Sequence, residues 1–318
     1  MRAYDLSEIN RRILNDAENY VKECDARLNS KVVMAANSII GHMKESPVVL
    51  LSGPSGSGKT TTAMKIEEEL EKQGVRTVTI SMDNYFKTLD PETAPRTPSG
   101  DIDYESPELL DMELLDEHFT ALERGERIRI PHFMFARQKR STTQFTPLRL
   151  RENEVAIFEG IHALNDRITD THPEAFKLYI SASSHIEKDG RPIFESSWLR
   201  LTRRVVRDDN FRGTNARVTL KLWANVLRGE KLYIDPYIHK ANISIDSTLP
   251  YEVSLLKRYA EPLFREIPPS TPEYAQLEKI CEAFQFFEEL NPALVGPNSL
   301  IREFIGGSAY YADNKEDR

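Results

Sequence analysis

Several features that would place this chain in a special class are missing. Cysteine occurs only at Cys24 and Cys281, far apart and outside any metal or redox spacing. That excludes a disulfide framework, and a reducing compartment is the simple reading. No apolar run approaches the roughly 20 residues that span a membrane. The N-terminal residues mix charges of both signs without an apolar core, so no signal peptide is expected. An excess of positive charge is also absent. The net charge is −8, which argues against a general binder of nucleic acid or anionic membrane. The seven histidines form no HExxH-type pair. There are no internal repeats and no low-complexity segment. What remains is an ordinary globular composition, 40% hydrophobic and 29% charged. At 318 residues the chain can hold one large domain or two small ones. A cytoplasmic enzyme without a nucleic-acid or membrane partner is expected, and a homo-oligomer is left open.

The stretch that organises the chain is Gly53-Pro54-Ser55-Gly56-Ser57-Gly58-Lys59-Thr60. It fits G-x-x-x-x-G-K-[ST], a loop whose backbone N–H groups cradle phosphate. Its four fixed positions match by chance in roughly one chain of this length per hundred. The flanks lower that further. Val48-Val49-Leu50-Leu51 reads as a strand buried on both faces. Ala63, Ile66 and Leu70 recur at helical spacing before Gly74. Lys59 is expected to reach the β- and γ-phosphates of a nucleotide, the Thr60 hydroxyl to bind Mg²⁺, and Thr61 belongs to the same nucleotide site.

Residues 1–45 read as a helical extension on the core, with a docking surface as the alternative. Ile9, Ile13, Tyr20, Val21 and Leu28 form one apolar stripe. Val32, Val33, Ala36, Ile39 and Ile40 suggest a second helix ending at Gly41. Strands are predicted at 75–81, 127–130, 155–160, 176–181 and 241–245. Helices are predicted from Pro107 to about Leu122, at 199–207 and at 251–264. Strands alternating with helices indicate an α/β parallel sheet flanked by helices. The domain limits that follow are 1–45, 46–290 and a peripheral tail at 291–318, with 316–318 expected to fray.

Charged residues cluster where such a sheet binds ligands. Asp83 follows a strand directly, at the carboxyl edge. There it can accept the proton of an attacking alcohol, cap a helix, or hold Mg²⁺ through water. Glu159 ends another strand and can serve the Mg²⁺ shell. Arg203, Arg204, Arg207 and Arg212 read either as a lid over a transferring phosphoryl group or as a solvated face paired with Asp208 and Asp209. Phe133 and Phe135 fit equally a stacking platform or a core. Lys139, Arg140 and Arg149 could form a basic pocket for a phosphorylated substrate.

Five motifs in order then match a known family: GPSGSGKT at 53–60, SMDNYF at 81–86, DYESPELLD at 103–111, FEGIHALN at 158–165 and RLTRRVVRDDNFRG at 200–213. From about Pro47 to Phe287 the chain resembles the uridine kinase and phosphoribulokinase group of phosphate-loop kinases. It looks closest to bacterial uridine-kinase-like nucleoside kinases whose long members carry synthetase-like N-terminal domains, for which 1–45 is too short. The resemblance implies a P-loop fold like that of nucleoside monophosphate kinases, with a lid, ATP and Mg²⁺. It implies phosphorylation of a nucleoside 5′-hydroxyl, with Asp83 as general base and Glu159 at the metal. Tyr85 would lie near the nucleoside, Glu105 or Asp103 would hold the ribose, and Arg204, Arg207 and Arg212 would form the lid. Phe133 and Gln138 stand where uridine kinases carry a pyrimidine-reading tyrosine and histidine, and Thr214 where they carry another lid arginine. The alternatives are a kinase for another small alcohol, of the phosphoribulokinase or pantothenate kinase kind, and a nucleotide-dependent switch without an acceptor.

Overall fold

The computed structural model describes residues 3–311, so the expected fraying at 316–318 lies outside the described residues. A short strand β1 (Ala3–Asp5) leads into one long helix, α1 (Leu6–His42). Asp5 caps it, its side chain accepting the Glu8 N–H at 2.8 Å. The two expected helices are therefore one, bent at Asp16 (φ −157°, ψ 55°), and the helix runs through Gly41. Next come β2 (Val48–Ser52), α2 (Lys59–Lys72), β3 (Arg76–Ser81), α3 (Met112–Glu123), β4 (Ile128–Met134), β5 (Lys139–Leu148) and β6 (Glu154–Glu159). The short helix α4 (Asp166–Thr169) precedes β7 (Phe176–Ser181), β8 (His185–Lys188) and β9 (Arg191–Phe194). The remainder comprises α5 (Ser196–Phe211), α6 (Ala216–Tyr233), β10 (Ile243–Asp246), α7 (Glu252–Arg265), α8 (Tyr274–Phe284) and α9 (Arg302–Ile305).

The central sheet is parallel throughout, in the order β10-β7-β2-β6-β3. Every residue of β2 is buried, as a middle strand covered on both faces requires. Its side chains alternate between two cores. Val49 and Leu51 join the larger one, with α1, α2, α5 and α7. Val48 and Leu50 join the other, with Phe119 of α3 and Phe158 of β6. A three-stranded sheet β1-β8-β9 and the antiparallel hairpin β4-β5 flank this body. Strand β1 falls where a helix was expected, because Ala3–Asp5 pairs with β8 before the helix begins; the strands β5, β8 and β9, and the helices α6 and α8, carry no expectation from the sequence.

One reading of the periphery, that of the C-terminal tail, is corrected. The N-terminal helix is tied to the core by polar contacts as well as by its stripe. Asp25 Oδ1 accepts from Tyr251 Oη and Ser299 Oγ, both at 2.9 Å. The segment after Asn291 is not peripheral, because Leu300, Ile301 and Phe304 are fully buried in the larger core.

Candidate active site

The loop between β2 and α2 has the shape that its glycines demand. Gly56 and Gly58 adopt φ of +75° and +79°, the left-handed region open to glycine. A Cβ on Gly53 would lie 1.9 Å from the Ile180 carbonyl oxygen of β7, so no larger residue fits there. Lys59 and Thr60 open α2, where backbone N–H groups and the helix dipole favour an anion. Two buried donors near this loop, Ser57 Oγ and Arg207 Nε, make no hydrogen bond within the protein. Such unspent donors suit a phosphate ligand.

Three oxygen-bearing side chains gather about Lys59. Glu159, at the end of β6, lies with Oε1 3.7 Å from Lys59 Nζ and Oε2 3.5 Å from Thr60 Oγ1. Loss of solvent pushes its carboxyl above the usual range, and Lys59 opposes the shift. Asp83 stands in the short turn Met82–Tyr85 after β3. It opens on a cleft of about 840 Å³ whose far wall carries Asp209, Phe211 and Arg212. Crowding by protein raises its carboxyl too, against the charges of Lys59 and Arg212. Thr60, Glu159 and Asp83 form an all-oxygen set of the kind a hard Mg²⁺ ion accepts.

Helix α5 turns an arginine face toward the loop at spacings of three and four. Arg200 and Arg203 hold the loop from behind. Arg200 grips Glu230 at 2.5 and 2.7 Å and reaches the Ser55 carbonyl at 3.3 Å. Arg203, fully buried, pairs with Glu252 at 2.6 and 2.8 Å and donates to the Gly56 carbonyl at 3.1 Å. The sequence reading placed Arg203 among the lid residues; its burial makes it structural instead. Arg204 donates to Ser55 Oγ at 3.0 Å. Arg207 and Arg212 share Asp208, at 3.4 and 3.7 Å, and Arg212 remains exposed at the cleft. The alternative to a lid, a solvated face paired with Asp208, does not hold at that residue, because Asp208 is buried among the arginines it pairs with.

The acceptor-side residues divide. Glu105 lies against Gly229 of α6, and burial pushes its carboxyl up to about 7, with Arg204 opposing. Phe133 packs edge-on against Phe86 and Phe135, and Phe135 reaches the cleft. Asp103 is buried and committed to Arg228 at 2.5 Å and Tyr233 at 2.9 Å. Two expectations are corrected. Tyr85 does not face a ligand: its ring is fully buried and its hydroxyl meets His118 Nδ1 at 2.8 Å. Arg140 is spent on Asp111 at 2.6 Å and on the carbonyls of Tyr85 and Phe86.

The sequence reading missed the C-terminal wall of the site. Glu303 of α9 accepts from Thr61 Oγ1 at 2.6 Å and lies 3.5 Å from Arg207. Thr61 thus turns its hydroxyl to α9, away from the loop's anion cradle. Leu300 packs beneath Gly58, where a Cβ would approach it to 2.8 Å. The only signal for this wall was the small apolar group Leu300, Ile301 and Phe304.

A family model described as "Phosphoribulokinase / Uridine kinase family" matches residues 48–254. The uridine kinase of Schizosaccharomyces pombe is 33% identical over 163 residues, which are 51% of this chain and 32% of that protein. A Staphylococcus aureus uridine kinase is 28% identical over 206 residues, 64% of this chain and 88% of that protein. This chain spans about a third of the length of the yeast uridine kinases it matches. Among solved structures, phosphoribulokinase from Rhodobacter spheroides aligns with 65% of this chain and 74% of its own, at 15% identity and a TM-score of 0.42.

Proposed function

Because the chain belongs to the phosphoribulokinase / uridine kinase family, we propose that it transfers the γ-phosphate of ATP to the 5′-hydroxyl of a nucleoside. The observation that carries this reading is Asp83. Its carboxylate opens on a cleft large enough for a small acceptor, on the side of the loop where Lys59 and Glu159 stand. A switch that only binds nucleotide has no need of such a group beside an acceptor-sized space. The yeast and staphylococcal relatives named as uridine kinases support a nucleoside over other alcohols. So does Arg140, because its pairing with Asp111 removes one member of the basic pocket that a phosphorylated acceptor would need.

Bound MgATP supplies the transferable phosphoryl group and a cation that neutralises its charge. Lys59 and the backbone N–H groups of 53–60 bind the phosphate oxygens. Thr60 and Glu159 would hold the cation through their side-chain oxygens. Asp83 accepts the 5′-hydroxyl proton as the oxygen attacks phosphorus, and the products are ADP and the nucleoside 5′-phosphate. Arg212, and Arg204 and Arg207 beside it, bear on the charge that spreads over the equatorial oxygens. Glu105 orients the ribose diol, and Phe133 with Phe135 offers an apolar surface to the base. The site lies at the end of the sheet where β2 and β6 finish, beside the arginine face of α5.

The test is ADP release from ATP and Mg²⁺ with and without a panel of ribonucleosides, 2′-deoxyribonucleosides, ribulose 5-phosphate and pantothenate. Turnover that depends on a ribonucleoside supports the reading. Turnover that no acceptor alters defeats it in favour of the switch.

A further inference from the structure

At the opposite edge of the sheet, where β7 begins, a second group of ligand-type side chains converges. Glu123 ends α3, and His172 and Glu174 lie in the segment between α4 and β7. One ligand atom from each lies within 4.8 Å of the others. His172 is 3% exposed. Its Nε2 is 3.0 Å from Asp116 Oδ1, which fixes the ring with its proton on that nitrogen. Nδ1 then presents a lone pair, is buried, and makes no hydrogen bond. It lies 3.4 Å from Glu174 Oε1 and 3.7 Å from Glu123 Oε2.

A lone pair facing two carboxylates is repulsive unless a positive centre stands between them. A proton there would draw the atoms to the roughly 2.7–2.9 Å of a charge-assisted hydrogen bond. The observed spacings are wider. The 3.4 Å to Glu174 matches the roughly 3.3–3.4 Å between ligand atoms of a tetrahedral ion with bonds of about 2.0–2.1 Å, and the 3.7 Å to Glu123 is slightly wider. The outer contacts have the form found around bound metals. Asp116 orients the imidazole, and Ser46 Oγ donates to the other oxygen of Glu123 at 3.2 Å. The Phe119 ring stands edge-on to His172 at 5.3 Å and shields one side. Glu123 and Glu174 remain part-exposed, at 24% and 34% of their side chains, which leaves an open side for water.

We propose that Glu123, His172 and Glu174 bind a divalent transition cation, with water completing a tetrahedral shell. One imidazole and two carboxylates favour Zn²⁺ over Mg²⁺ or Ca²⁺, which take oxygen ligands. The ion would clamp the end of α3 to the start of β7. It is separate from any cation at Thr60 and Glu159, because those residues lie at the other end of parallel strands. The proposal does not depend on which alcohol the enzyme phosphorylates.

The test is calorimetric titration of Zn²⁺ into the EDTA-treated and dialysed full chain, with millimolar Mg²⁺ present to occupy an oxygen-only site. One equivalent is expected in the wild type. Glu123→Gln and Glu174→Gln, at part-exposed positions that leave the fold intact, should each weaken it at least tenfold. Asp116→Asn should weaken it about 10–100-fold through loss of the imidazole's orientation. ATP turnover of these variants should match the wild type. Absence of Zn²⁺ binding to the wild type, as a shared proton would give, overturns the proposal. So does an affinity that all three variants retain.

Discussion

Asp83 and Glu105 are both carboxylates whose surroundings resist their charge, and the two lead to different tests. For Asp83 the question is the proton. Asp83→Asn keeps the shape and removes the acceptor. A general base contributes roughly 10²–10⁴-fold, about 3–5 kcal/mol of barrier. The kcat should fall by that order with the KM for ATP nearly unchanged. A variant whose rate returns in excess Mg²⁺ would show that Asp83 serves the metal instead. For Glu105 the question is where its charge appears. Its carboxyl titrates at about 7 in the folded chain, against about 4.3 when unfolded. Below about pH 4 both states hold the proton and the group contributes nothing. Between those values the unfolded chain releases a proton that the folded chain keeps, so stability falls as pH rises through this window. Glu105→Gln removes that loss. The melting temperature of the variant, relative to the wild type, should therefore be higher at pH 8 than at pH 5. A difference that does not change with pH would mean that the folded carboxyl is ordinary.

At the scale of elements, the phosphate loop depends on α5 more than its own sequence suggests. The β2–loop–α2 unit was legible because everything that defines it is local: an apolar run, three glycines at fixed offsets and a helical stripe. The roles along α5 were not legible. Arg200, Arg203, Arg204 and Arg207 share one face, but sequence spacing cannot say which meets a buried carboxylate and which meets a ligand. Glu230 and Glu252 decide that, and they arrive from α6 and α7. The same limit explains Tyr85, whose motif position says nothing of His118 behind it. The Arg203–Glu252 pair gives the sharpest test, since both side chains are fully buried. Arg203→Leu strands the Glu252 charge and the Gly56 carbonyl, and breaking such a pair costs about 3–5 kcal/mol. Urea unfolding should show that loss, and Arg203→Leu combined with Glu252→Leu should recover much of it. If the single variant matches the wild type, the pair does not brace the loop.

At the scale of the whole molecule, the parallel sheet was readable because buried strands and the helices between them announce themselves by period. The small sheet β1-β8-β9 was not, because strands of three or four residues are too short to show one. The C-terminal segment failed to show for a related reason. Leu300, Ile301 and Phe304 flank or occupy a four-residue helix, and their meaning depends on the chain returning to a loop some 240 residues earlier. That return joins three distant regions: Asp25 of α1 accepts from Ser299, Leu300 supports Gly58, and Glu303 bridges Thr61 and Arg207. The segment is thus part of the core and of the site's wall at once. Ending the chain after Asn298 would expose the partners of three fully buried side chains. At about 1.5–3 kcal/mol each, the loss is about 5–9 kcal/mol, comparable with the 5–15 kcal/mol of a typical fold. The shortened chain should be insoluble, or melt far below the full one and bind ATP poorly. Thermal unfolding with and without MgATP measures both effects. A truncated protein that keeps the full melting temperature and the full ligand-induced rise would mean that the segment only lies on the surface of a core complete without it.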